Sequence, residues 1–223
     1  MTTTTARATA ESPTSIITSS GNRFDLAHPH PADVNLSDIT AALGNMNRWT
    51  GHLGRVGHCT ILNHSLHVFE LAHVRFFDGL PLRDLPADAI AVLAAALLHD
   101  AHEAYVGDVS RPLKLAMRRR TPPHPTLIDG RLMMWQGPFD EIEHDVQAAV
   151  FQHFGLDHQL ADHSVVRTAD NLSLAYEADL LYGDGTAASW GLEQGPPPKM
   201  RTSPYVTGSR FRTLVHRLTG VNE

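Results

Sequence analysis

The chain has 223 residues, 42% of them hydrophobic and 19% charged, which fits one globular domain with a substantial core and leaves two full domains cramped. A net charge of −6 argues against the broad basic face of a general nucleic-acid binder, though not against a small anionic substrate held by a metal and a few cations. The one cysteine, Cys59, rules out an intramolecular disulfide and a multi-cysteine zinc site, and no run of about 18 apolar residues calls for a membrane, so a cytoplasmic protein is expected.

Met1 to Ser20 is rich in Thr, Ser and Ala and lacks the basic start and apolar middle of a signal peptide, so 1–20 is expected to be a flexible tail preceding one domain over 21–223. Asn35-Leu36-Ser37-Asp38 reads as a capped helix start leading toward Met46. From Cys59 to Phe77, apolar or small residues at Ile61, Ser65, Val68, Phe69, Ala72 and Phe76 form a helical stripe, which Gly79-Leu80-Pro81 ends. Pro86 and Asp88 open a helix whose next ten positions are apolar and which is expected to run to about Tyr105. A helix that is hydrophobic all round lies inside the fold. Gly107 to Pro112 is a loop or turn, and Pro122-Pro123-His124-Pro125 is a break. Phe139 to Phe154 is amphipathic, with Ile142, Val146, Ala149, Val150 and Phe154 inward. A long helix covers Leu160 to Leu181. Gln194 to Pro204 is Pro-rich and irregular, and Ser209 to Leu218 forms a closing helix. No stretch alternates with period two, so the predicted class is all-α.

His99-Asp100 ends the apolar helix and carries an imidazole and a carboxylate into the interior or to its edge. A buried carboxylate needs a cation, and a divalent metal is the natural one. In the Cys59–Phe77 helix, His64 lies at the border of the apolar stripe, whereas His67 points away from it and His73 lies off the opposite border. In the Leu160–Leu181 helix, Asp170 sits among Val166, Ala169 and Leu172. His64, His99, Asp100 and Asp170 therefore form a candidate metal set from three helices. Mixed nitrogen and oxygen ligands suit Mn, Fe, Co, Ni or Zn, with Mg, which prefers oxygen, left open. Each residue has a plainer alternative as a salt-bridged acid or hydrogen-bonded histidine; burial at a helix end sets His99-Asp100 apart.

The ordered set His64…His99-Asp100…Asp170 resembles the metal signature of the HD-domain phosphohydrolases. Asn63-His64-Ser65 and Leu98-His99-Asp100-Ala101-His102-Glu103…Gly107-Asp108, followed by Pro112-Leu113-Lys114, resemble the bacterial 5′-deoxynucleotidases (YfbR-like). Arg167-Thr168-Ala169-Asp170 is similar to their last metal-ligand helix, and the phage dATP triphosphohydrolases share the framework. The likeness spans roughly Arg48 to Leu181. Asn63 stands where Glu is usual, and His102 where a small residue is common.

The resemblance implies an HD-type helical bundle with the metal site between helices, a divalent cofactor, a small deoxynucleotide substrate and a homo-oligomer. Glu103 and Asp108 would position and deprotonate the attacking water. Lys114 and Arg48 would hold phosphate or sugar, and Trp49 would pack on sugar or base. Glu103, three residues after Asp100, shares its face if the helix continues. Arg118-Arg119-Arg120 is a candidate triphosphate clamp or a solvated face. His52, Arg55 and His58 are candidates for the mouth of the site. The expected reaction releases phosphate from a deoxynucleoside monophosphate or triphosphate from a dNTP. The alternatives are a non-catalytic nucleotide sensor and a hydrolase of cyclic or alarmone nucleotides.

Overall fold

The computed structural model describes residues 12–54, 56–128, 131–135, 137–193, 196 and 204–221. Of the expected 1–20 tail, residues 1–11 lie outside the described residues. The remainder includes β1 (Ser15–Ile17), which pairs antiparallel with β2 (Arg23–Asp25). Strand pairing is thus present within 12–20, at Ser15–Ile17.

Helices make up most of the rest. Asn35 caps α1 (Leu36–Asn45), its side-chain oxygen accepting from the Asp38 N–H. The Thr60 hydroxyl does the same for α2 (Ile61–Phe77), which ends at Asp78 in a left-handed conformation. α3 (Ala87–Leu98) is the apolar helix, and its residues from Val92 to Leu98 are all buried. By length and composition Ala87–Val106 could cross a membrane; here most of it is buried inside the fold, and α3 packs on α2, α7 and α9.

α3 does not run on to Tyr105. After Leu98 the chain makes a tight turn, with Ala101 N–H on the Leu98 carbonyl and Glu103 N–H on that of Asp100, before the short α4 (Glu103–Val106). Such i to i+3 bonds bring residues three apart into register, so Asp100 and Glu103 fall on one side for a different reason from the continuing helix that was expected. The Gln147 amide holds the freed His99 carbonyl.

α5 (Arg111–Arg118) carries Pro112 in its first turn, where the missing N–H is harmless. β3 (His124–Ile128) and β4 (Arg131–Trp135) form a hairpin with Ile128 opposite Arg131. Neither hairpin was foreseen, yet the fold remains all-α in character. α6 (Pro138–His153) buries Val146, Ala149 and Val150 as expected, but Ile142 is exposed. α7 (Ser164–Tyr182) lies along α2; α8 (Thr186–Ser189) follows, and α9 (Pro204–Thr219) closes the core through Phe211, Val215 and Leu218. The expected irregular stretch 194–204 lies largely outside the described residues.

Candidate metal centre

α2, α3 and α7 meet side by side, and this juxtaposition assembles the cluster. His64 comes from the first turn of α2, His99 and Asp100 from the turn after α3, and Asp170 from α7. The His64 and His99 ring centroids are 5.3 Å apart. His64 Nε2 lies 3.0 Å from Asp170 Oδ1 and 3.6 Å from Asp100 Oδ2. His99 Nε2 lies 3.2 Å from Asp100 Oδ2 and 3.9 Å from Asp170 Oδ1. The ligand atoms of His64, His99 and Asp100 all fall within 4.8 Å of one another.

Both rings use Nδ1 elsewhere. His99 Nδ1 meets the Ala96 carbonyl at 2.9 Å, and His64 Nδ1 meets Glu177 Oε1 at 2.8 Å. An imidazole that donates through Nδ1 presents a bare lone pair at Nε2. Both Nε2 atoms are buried and make no hydrogen bond of acceptable geometry. Buried polar atoms are rarely left so, and two of them facing two carboxylates suit a divalent cation. The residues present therefore fit the metal that the sequence calls for.

The electrostatics agree. Despite burial and the nearby Arg48, Glu177 and Asp170 raise the His64 pKa to about 9 in the metal-free protein. Against the penalty of burial, His99, His64 and Arg48 hold Asp100 well below the usual carboxylate range. Asp170 is likewise lowered, by His64 and His99. Glu103 behaves in the opposite way. Burial, Asp100 and Asp108 push its carboxyl well above the usual range, and its Oε2 has no hydrogen-bond partner. Asp108 is raised mainly by burial, with Arg48 opposing.

Arg48 and Trp49 flank the cluster. The Arg48 N–H is pinned to the Cys59 carbonyl, and Asn47 bridges to Thr60, fixing the loop against the start of α2. Arg48 Nε donates to Glu177 Oε2 at 2.9 Å, and Nη1 approaches Asp100 Oδ2 at 3.4 Å. The Trp49 indole N–H donates to the same Glu177 oxygen at 3.0 Å. Trp49 and Thr50 both have left-handed backbones, φ 61° and 54°. Non-glycine residues take that region at a cost of about 1–2 kcal/mol each.

Other candidates lie elsewhere. Lys114 Nζ is drawn to Glu143 Oε1 at 2.5 Å, which His102 Nε2 also approaches at 3.3 Å; Lys114 therefore meets an acid of α6 rather than the cluster. Arg118 forms a two-pronged pair with Asp140, and Arg119 and Arg120 are exposed. His52 is exposed, and Arg55 lies outside the described residues. His58 lines a cavity of about 280 Å³ that backs onto His64 and Glu177. Burial pushes the Cys59 thiol up to about 12, so it is no thiolate nucleophile. His67 was expected to point away from the core and is instead buried, because α2 is packed by α1, α3, α7 and α9 together.

Sequence reasoning missed Glu177. It stands seven residues after Asp170 and four after Ser173, a spacing that keeps all three on one face of α7. That spacing was the available signal.

The helical fold brings a His-Asp pair, a second histidine and a second aspartate together, and the family match that follows points to a hydrolase of the HD type. Residues 36–179 match the family described as 5′-deoxynucleotidase YfbR-like, and the chain belongs to that family. It is also similar to an uncharacterized protein of Rhodobacter capsulatus, 28% identical over 214 residues, covering 90% of this chain and 95% of that protein. A second relative is the uncharacterized protein YfdR of Escherichia coli, 25% identical over 212 residues, covering 93% and 96% respectively.

Proposed function

We propose that this protein is a metal-dependent phosphohydrolase that cleaves deoxynucleotides at the 5′-phosphate. The observation that carries the reading is the pair of buried, unbonded imidazole Nε2 atoms facing Asp100 and Asp170. His64, His99, Asp100 and Asp170 would hold the ion. When bound, it would lower the pKa of a water molecule and polarise a phosphoryl oxygen. Glu103, one tight turn from Asp100, takes the proton of the attacking water. A carboxyl with raised proton affinity is a stronger base for that step and can return the proton to the departing 5′ oxygen. Asp108 helps to orient the water. Arg48 stays charged beside Glu177 and Asp100 and offers its remaining N–H groups to the phosphate, while Trp49 offers a flat face to the sugar.

The monophosphate is the favoured substrate. Arg118 is committed to Asp140 and Lys114 to Glu143, so these two cations already have acidic partners, which weighs against a clamp on a longer phosphate chain. Purified protein is incubated with each dNMP and dNTP, dATP included, with Co²⁺ or Mn²⁺ and with chelator, and phosphate and triphosphate are measured. Metal-dependent phosphate release from dNMPs is expected. Nucleotide binding without turnover of any substrate would replace the enzyme with a sensor.

A further inference from the structure

We propose that Glu177 is a positioning residue whose single carboxylate ties the metal-facing orientation of His64 to the placement of Arg48 and Trp49. The proposal rests on the metal site described above. Glu177 is almost wholly buried, and three donors from three residues converge on it. Oε1 accepts from His64 Nδ1 at 2.8 Å; Oε2 accepts from Arg48 Nε at 2.9 Å and Trp49 Nε1 at 3.0 Å.

A chain of hydrogen bonds assigns the His64 proton. His67 Nε2 lies 3.0 Å from the Pro196 carbonyl, which can only accept, so His67 carries its proton there. Burial lowers the His67 pKa and keeps the ring neutral, so its Nδ1 accepts from the Ser173 hydroxyl at 2.9 Å. The Ser173 oxygen, 3.0 Å from His64 Nδ1, is then left with lone pairs toward that atom. Ser173 and Glu177 both require a proton on His64 Nδ1. Nε2 is thereby freed for a cation. A carboxylate or carbonyl behind a metal-binding imidazole commonly works in this way, and its removal typically weakens metal binding about 10–100-fold.

The second half of the carboxylate reaches the substrate side. Trp49 stands on a left-handed backbone, and the bond from its indole to Glu177 helps to hold it there. One acid thus couples the metal face to the residues that would grip the phosphate and sugar.

Glu177→Gln keeps the shape and removes one acceptor, which makes it the decisive variant. Its amide oxygen can face His64, or Arg48 and Trp49, but not both; the NH₂ then meets a donor. Calorimetry with Mn²⁺ alone reports the first face, and KM against kcat for a dNMP reports the second. The expected result is Mn²⁺ affinity at least tenfold weaker or KM at least tenfold higher, with kcat/KM down about 100-fold and a thermal midpoint near that of the wild type. A lowered midpoint with metal affinity, KM and kcat within twofold of the wild type would overturn the proposal in favour of a packing role. The wild type supplies a measurement that needs no variant: ¹⁵N NMR of the Zn²⁺-loaded protein should show His64 protonated at Nδ1, and protonation at Nε2 would also overturn it. Failure of the wild type to bind any divalent ion would sink the metal site itself, whereas wild-type binding with an unperturbed Glu177→Gln sinks the role of Glu177 alone.

Discussion

His64 gives the metal site a pH dependence that can be worked out in advance. In the metal-free protein its pKa is raised to about 9, with burial and Arg48 opposing and Glu177 and Asp170 prevailing. A metal takes only the unprotonated Nε2, so at pH 7 each bound ion displaces about one proton from this ring. Asp100 and Asp170 are lowered and already ionised, and add no proton in this range. Affinity should therefore rise about tenfold per pH unit from pH 7 and level off near pH 9. The gain across that span is about 100-fold, or roughly 2.7 kcal/mol. Calorimetry with Mn²⁺ at pH 6.5, 7.5 and 8.5, in two buffers of different ionisation enthalpy, counts the protons. Affinity independent of pH, with no proton released, would refute His64 as a ligand. Stability of the metal-free protein should run the other way. A raised histidine contributes fully below about 6.5 and loses its contribution as pH climbs through about 9, an effect on the order of 3 kcal/mol.

Three further outcomes test separate parts of the site and core. Asp100→Ala should lose metal and turnover together, whereas Glu103→Gln should keep metal, measured by elemental analysis, and lose about 10²–10⁴-fold in kcat; an unchanged rate in the second variant would remove Glu103 from proton transfer. Trp49→Ala should raise KM for deoxynucleotides or relax discrimination against ribonucleotides with metal content intact, and since Trp49 is half-buried, its thermal midpoint should drop less than that of a core variant. Phe151→Ala, at a fully buried position of α6, should destabilise by about 3–5 kcal/mol in denaturant titration while leaving the metal site formed.

The helices were legible because their signals are local: Asn35 as a cap, Gly79-Leu80-Pro81 as a stop, and a run of ten apolar residues in α3. The cluster was legible because His99-Asp100 terminates that run, while His64 and Asp170 stand beside core positions on helices long enough to fix their direction. What the sequence hid was tertiary. His67 read as outward because helix geometry assigns one inward face, and α2 has neighbours on several sides. Ile142 read as inward on an amphipathic pattern that α6 buries only in part. The β3–β4 hairpin was hidden because the neighbouring prolines read as a break and no alternation marked the strands. Lys114 resembled a phosphate ligand by position alone. Its pairing with Glu143 depends on how α5 and α6 meet, which no local pattern records.

The most direct measurement is anomalous diffraction from crystals grown with Mn²⁺ or Co²⁺, alongside a deoxynucleoside monophosphate. A single strong peak about 2.0–2.3 Å from His64 Nε2, His99 Nε2 and carboxylate oxygens of Asp100 and Asp170 is expected, with a phosphate oxygen on an open side of the ion. Active crystals with no anomalous scatterer among those four side chains, or with the nucleotide phosphate seated away from them, would contradict it.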